Sequence, residues 1–160
     1  QQYSLKEGLK TFGDNGWKAA QQEMEQLHVR TCFTPRSVKE MSEGDRIKAQ
    51  GALMLLTQKP NGRYKGRMVY NGKPTREWLS REDSTSPTAM LESIMLTLAI
   101  DAKEKRDGMR ADVPNAFIQT EIPEEDERVF MKITGVLVDM LVKLMPDEYG
   151  PYVVYENGEK

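Results

Sequence analysis

One cysteine, one histidine and the absence of any long apolar run limit what this 160-residue sequence can be. A lone Cys32 cannot close an internal disulfide, and with a single His28 beside it a zinc site is out of reach. Cys32 therefore reads as an ordinary half-buried residue. No apolar stretch approaches the roughly 20 residues that cross a bilayer. The N-terminus also lacks the charged-then-apolar pattern of a secretory signal. The expectation is a soluble, intracellular chain without membrane contact. No repeat, low-complexity tract or inter-domain linker is visible. The sequence starts at Gln1 rather than Met, and its last residues, Tyr152 to Lys160, look like a hairpin cut just after its turn. It is expected to be incomplete at both ends.

A net charge of −2 argues against a protein that coats nucleic acid indiscriminately, but the charges are unevenly placed. Six cations (Lys59, Arg63, Lys65, Arg67, Lys73, Arg76) lie between Lys59 and Arg76 with no acid among them. Five acids lie between Glu121 and Glu127 with no cation. Either block alone is compatible with a solvated loop.

What is present falls into recognisable segments. Tyr3 to Phe12 shows no clear period and reads as a loose lead-in. Asp14 or Asn15 can cap a helix over about 15–29, in which Trp17, Ala20, Met24 and Leu27 recur at spacings of three and four. His28 near its end reads as a surface residue favoured by the helix dipole. Ser42 to Asp45 forms a capping box for a short helix running to Ala49. Gly51 to Thr57 and Tyr64 to Tyr70, joined through Asn61-Gly62, predict a β-hairpin. Alternation puts Lys65, Arg67 and Val69 on one face and Tyr64, Met68 and Tyr70 on the other.

Two cations on one face suit a phosphate ligand, because guanidinium grips oxyanions bidentately and ammonium acts as a point charge. They equally suit an edge hairpin that uses charge to prevent sheet-to-sheet aggregation. Trp78-Leu79 looks like an apolar anchor in a polar segment. Ser84 to Pro87 then opens a helix with a Ser cap and Pro at its first position, followed by Met90, Leu91, Ile94, Met95, Leu98 and Ala99. It is apolar enough to be buried, with its Met residues as core filler. Met109 to Val113 has strand character, Arg128 to Ile133 alternates like a strand, and Val136 to Met145 predicts an amphipathic helix ending before Pro146.

Asp112 sits at the end of its short apolar strand, just ahead of a Pro114-Asn115 turn. An acid so placed can hold a divalent cation beside a triphosphate, since Mg2+ takes few protein carboxylates and completes its shell with phosphate oxygens and water. It can also be a strand-end acid making a local turn bond.

Four segments in order resemble one family. Asn61 to Gly72 (NGRYKGRMVYNG), Thr85 to Thr88 (TSPT), Ala111 to Phe117 (ADVPNAF) and Val129 to Lys132 (VFMK) are similar to the N-terminal half of the reverse transcriptase of copia-type LTR retrotransposons. The likeness runs from about Trp17 to Met145. It implies an α+β, partial right-hand polymerase fold, truncated, with fingers and supporting helices over about 15–107 and the start of the palm over about 108–160. It also implies an RNA-directed DNA polymerase that works on an RNA/DNA template-primer and a deoxynucleoside triphosphate with two Mg2+ ions, in a cytoplasmic particle or the nucleus.

By that resemblance Asp112 is one of three metal-binding carboxylates and the Val113 carbonyl helps hold the second ion. The amides of Asn115 and Ala116 face the triphosphate, and Phe117 is the bulky gate that collides with a ribose 2′-OH. Without the resemblance Phe117 reads equally well as a core aromatic. Lys65 and Arg67, with Lys59 as a third, are the candidates to neutralise triphosphate charge. The sequence departs from the family in three places. Pro114-Asn115 replaces a small polar pair, and Gly66 stands where Ala is usual, which is expected to loosen the hairpin. No Y-x-D-D occurs, so the other two carboxylates are expected outside this chain, with the rest of the palm, the thumb and RNase H in the remainder of a polyprotein. The chain alone is expected to be inactive; a non-catalytic nucleic-acid-binding remnant is the alternative.

Overall fold

A computed structural model of the chain describes residues 1–74, 88–113, 115–122, 128–156, 158 and 160, with the Phe117 side chain outside that set. Arg76, the Trp78-Leu79 anchor, the Ser84 to Pro87 helix opening, the acids at 124–127 and the turn residue Asn157 lie outside the described residues. Two compact units are present: residues 1–74 with 122–160, and residues 75–121. The class is mixed α+β. Among the described residues no helix is long and apolar enough to cross a membrane.

The first unit is a small sheet carrying helices on one face. Strand β1 (Gln2–Ser4) leads into α1 (Leu5–Phe12) and α2 (Asp14–Val29). The lead-in is thus not loose. The Ser4 hydroxyl accepts the Glu7 amide while the Glu7 carboxylate accepts from the Ser4 amide and hydroxyl, a reciprocal cap that starts α1. A short helix α3 (Glu43–Lys48) starts at Ser42, whose side chain accepts from the Asp45 amide. Strands β2 (Gln50–Gln58) and β3 (Tyr64–Tyr70) form the hairpin their alternation indicates.

The sheet order is β1-β2-β3, all antiparallel, with Thr57 opposite Lys65 and Leu55 opposite Arg67. Strand β4 shrinks to Met131–Lys132 and runs parallel to the start of β2, pairing with Gln50 and Gly51.

The core lies between α2, the inner face of β2 and helix α5 (Val136–Leu144). Ala19, Ala20, Met24, Met54, Leu56, Leu137, Met140, Leu141 and Tyr149 are buried together. Two glycines set how closely the layers meet. A Cβ on Gly8 would stand 2.7 Å from Leu56 Cβ, and one on Gly66 would stand 2.6 Å from the Ala19 carbonyl oxygen. Gly66 therefore does not loosen the hairpin. It lets the α2 backbone lie against β3.

After α5 comes a helical turn α6 (Pro146–Tyr149) that continues through a 3-10 turn to Tyr152. Val153 to Tyr155, expected to belong to the entering strand of a cut hairpin, form no strand. Instead the Gly135 amide donates to the Lys160 carbonyl at 3.0 Å, and Lys132 pairs with Glu156 at 2.9 Å, so the end folds back on the start of α5.

In the second unit, helix α4 (Leu91–Glu104) begins after Met90 without a side-chain cap. The expected burial fails: no residue of α4 is buried. An apolar pattern reports affinity for a covering surface and not the presence of one. Met109 to Val113 is not a strand either, since a strand needs a partner ladder and none of the described residues pairs with them.

The closeness of α2 and β3 is testable. Gly66→Ala should cost about 1–3 kcal/mol, the usual penalty of overpacking, because the obstructing atom is a helix carbonyl and not a mobile side-chain end. Urea denaturation measures it; an unchanged midpoint would mean that α2 stands further from the hairpin.

Candidate nucleotide and nucleic-acid interface

The hairpin gives the basic residues their direction. In the 59–63 turn the Lys59 amide donates to the Arg63 carbonyl at 2.8 Å and the Gly62 amide to the Lys59 carbonyl at 2.9 Å. Gly62 takes a φ of +78°, the left-handed geometry that glycine adopts without penalty. Asn61 Oδ1 accepts from the Arg63 amide. The turn locks the register in which Tyr64, Gly66 and Met68 face the helices, with the Tyr64 and Phe12 rings 5.0 Å apart. The alternate residues Lys65 and Arg67 are exposed on the face the helices leave open. Two residues along a strand are roughly 7 Å apart, so both cations present to one ligand surface. None of Lys59, Arg63, Lys65 and Arg67 has an ion-pair partner among the described residues.

Lys59 lines an open depression of about 560 Å³ with Gln1, Thr57, Gln58, Pro60 and Gly62, which takes in neither Lys65 nor Arg67. A second depression of about 330 Å³ is charge-balanced, with Arg36 and Arg128 beside Glu40 and Asp45. The outer edge of β3 is partly closed, because Glu23 of α2 accepts the Met68 amide at 3.2 Å.

The remaining candidates lie in the second unit. Asp112 is exposed in irregular backbone, and Val113 follows it, also exposed. Asn115 has a φ of +54°, a left-handed conformation that Asn tolerates better than most residues. It opens a 3-10 turn over Ala116–Gln119, closed by the Ile118 amide donating to the Asn115 carbonyl at 2.9 Å. The amides of Asn115 and Ala116 stand at the start of that turn and donate to no acceptor among the described residues. The gate role of Phe117 rests on a side chain outside the described residues.

Asp112 and Val113 offer one carboxylate and one carbonyl, too few to organise two Mg2+ ions. Among the described residues no group of three or more His, Cys, Asp or Glu side chains could hold a metal ion. The described residues by themselves do not make up a two-metal centre, and no catalytic step follows from them alone.

One polar cluster has no local signal in the sequence. His28 is not a free surface residue: its Nδ1 lies 2.8 Å from the Tyr149 hydroxyl, 121 residues away, and 3.8 Å from a Glu148 carboxylate oxygen. Burial, then the charge of Glu148, push the Tyr149 phenol up to about 12. Cys32 is half-buried as expected, and burial raises its thiol too.

Set against known proteins, the chain matches no family model, no curated protein and no solved structure.

The Tyr149 tie has a pH signature. A phenol whose folded pKa lies above its unfolded value of 10 favours folding fully below pH 10, and that contribution is lost as pH rises towards about 12. Absorbance titration should show one of the six tyrosines ionising last. Tyr149→Phe should remove that late step and cost about 0.5–1.5 kcal/mol at neutral pH for the lost hydrogen bond. A variant with the same late-titrating tyrosine would place the perturbed phenol elsewhere.

Proposed function

We propose that this chain is part of an RNA-directed DNA polymerase of the copia-type retroelement class, carrying the fingers hairpin and the first part of the palm of a right-hand fold. The observation that carries the reading is the hairpin: the NGRYKGRMVYNG segment forms two paired strands and turns Lys65 and Arg67 together onto an open face. The order of the TSPT, ADVPNAF and VFMK segments after it adds support.

In this reading Lys65 and Arg67, with Lys59 beside the turn, take up triphosphate charge. Asp112 supplies one carboxylate to a two-Mg2+ centre and Val113 a carbonyl. Asn115 and Ala116 offer unoccupied amides to the triphosphate, and Phe117 screens the sugar. The intact protein adds deoxynucleotides to a primer; the remaining carboxylates, the rest of the palm, the thumb and RNase H belong to the remainder of the polyprotein.

The isolated chain should therefore incorporate no nucleotide on a primed RNA template, because one carboxylate cannot organise two ions. The coding sequence beyond Lys160 should encode a strand-turn-strand with paired aspartates. Templated incorporation by the chain alone, or a stop codon directly after Lys160, would overturn the active-polymerase reading.

The unpaired state of Lys59, Arg63, Lys65 and Arg67 also favours a second reading, a non-catalytic remnant that binds nucleic acid through this surface. Binding of a single-stranded oligonucleotide should weaken linearly with log salt. Lys65→Ala combined with Arg67→Ala should reduce that slope by about 1.4, the counterion release of two phosphate contacts. An unchanged slope would remove both residues from the interface.

A further inference from the structure

Helix α4 presents more apolar surface than any other described element. Leu91, Met95 and Leu96 are 69%, 61% and 64% exposed, and Ile94 and Leu98 are exposed as well. Leu91, Ile94, Met95, Leu98 and Ala102 follow one another at helical spacing and form a single stripe.

The charges beside the stripe say what covers it. Glu92 and Lys103 are 11 residues apart, close to three full turns, so they stand nearly in line on the same flank, one near each end of the helix. Asp101 and Glu104 are held by Arg106, whereas Glu92 and Lys103 have no ion-pair partner among the described residues. A two-fold axis perpendicular to the helix brings that flank against its own copy with the ends exchanged. Glu92 of each chain then meets Lys103 of the other, twice, while the stripes face each other. A parallel pair would instead place the two copies of that flank on opposite sides of the seam, so no Glu92–Lys103 contact would form.

We propose that the chain self-associates through α4 as an antiparallel helix pair, in which two reciprocal Glu92–Lys103 contacts flank the Leu91, Ile94, Met95, Leu98 and Ala102 stripe. The helix is 14 residues, or about 21 Å, long. Stable interfaces bury about 1,200–2,000 Å². One short helix pair falls at or below that range, so the dimer is weak and depends on concentration. This pairing does not rest on the polymerase reading.

Sedimentation velocity on the full chain over a concentration series tests it. Monomer should give way to a species of twice the mass as concentration rises. Glu92→Lys and Lys103→Glu should each weaken the dimer about tenfold by making both contacts repulsive. The double variant E92K/K103E should restore it, and an equimolar mixture of the two single variants should form a heterodimer. Leu98→Asp should abolish association while the urea midpoint of the first unit, whose core does not include Leu98, stays unchanged. A monomer at every concentration overturns the proposal. So does association that ignores the single swaps, or association that the double swap fails to restore, since aggregation on a sticky face has no charge register.

Discussion

The structure depends on one close approach, that of the α2 backbone at Ala19 to Gly66 on β3. Small residues on both sides make it possible: Ala19 and Ala20 line the helix, and Gly66 lacks the side-chain atom that would meet the Ala19 carbonyl. Strand side chains alternate, so fixing which face of β3 meets the helix fixes every other position. With Gly66 inward, Tyr64 and Met68 pack beneath the helices and Lys65 and Arg67 point outward. A slip of one residue would drive both cations into the core. The charged face is thus a consequence of helix packing as much as of composition. Glu23 strengthens the same arrangement by accepting the Met68 amide, which would otherwise be an open donor on the sheet edge.

The parts of the fold legible in the sequence are those whose period is long enough to register. Helix α2 repeats its apolar positions over four turns, α5 carries Leu137, Met140 and Leu141 at spacings of three and four, and the hairpin has Asn61-Gly62 between alternating strands. Helix α1 was harder to see for a physical reason. It is two turns long, and Gly8 looks like a breaker within it. Its signals are the Ser4 and Glu7 cap and the spacing of Leu5, Leu9 and Phe12. Gly8 earns its place through tertiary contact with Leu56, which local propensity cannot report.

The candidate site divides along the same line. Lys65 and Arg67 follow from strand alternation, a local property. The sequence puts Asp112 at a strand end, but strands exist only by pairing, so an apolar run without a ladder leaves the acid in irregular backbone. The His28 and Tyr149 contact joins residues 121 positions apart and carries no pattern at all. Its geometry ties the C-terminal end of α2 to α6, so the C-terminal helices are secured to the N-terminal layer by a hydrogen bond as well as by Leu137, Met140 and Leu141.

The two units obtain their stability differently. In the first, buried side chains from α2, β2, α5 and Tyr149 share one core, and each element is held by the others. In the second, α4 has no buried residue, and an isolated helix of 14 residues is marginal in water. Its apolar positions cover both the Leu91 stripe and the opposite side at Leu96 and Ile100, a distribution that propensity alone does not require. Folding of that helix is therefore coupled to whatever covers it, and any surface that binds the folded helix stabilises it by mass action. The first unit is held by its own core, whereas the apolar face of α4 is left for a covering surface to hold.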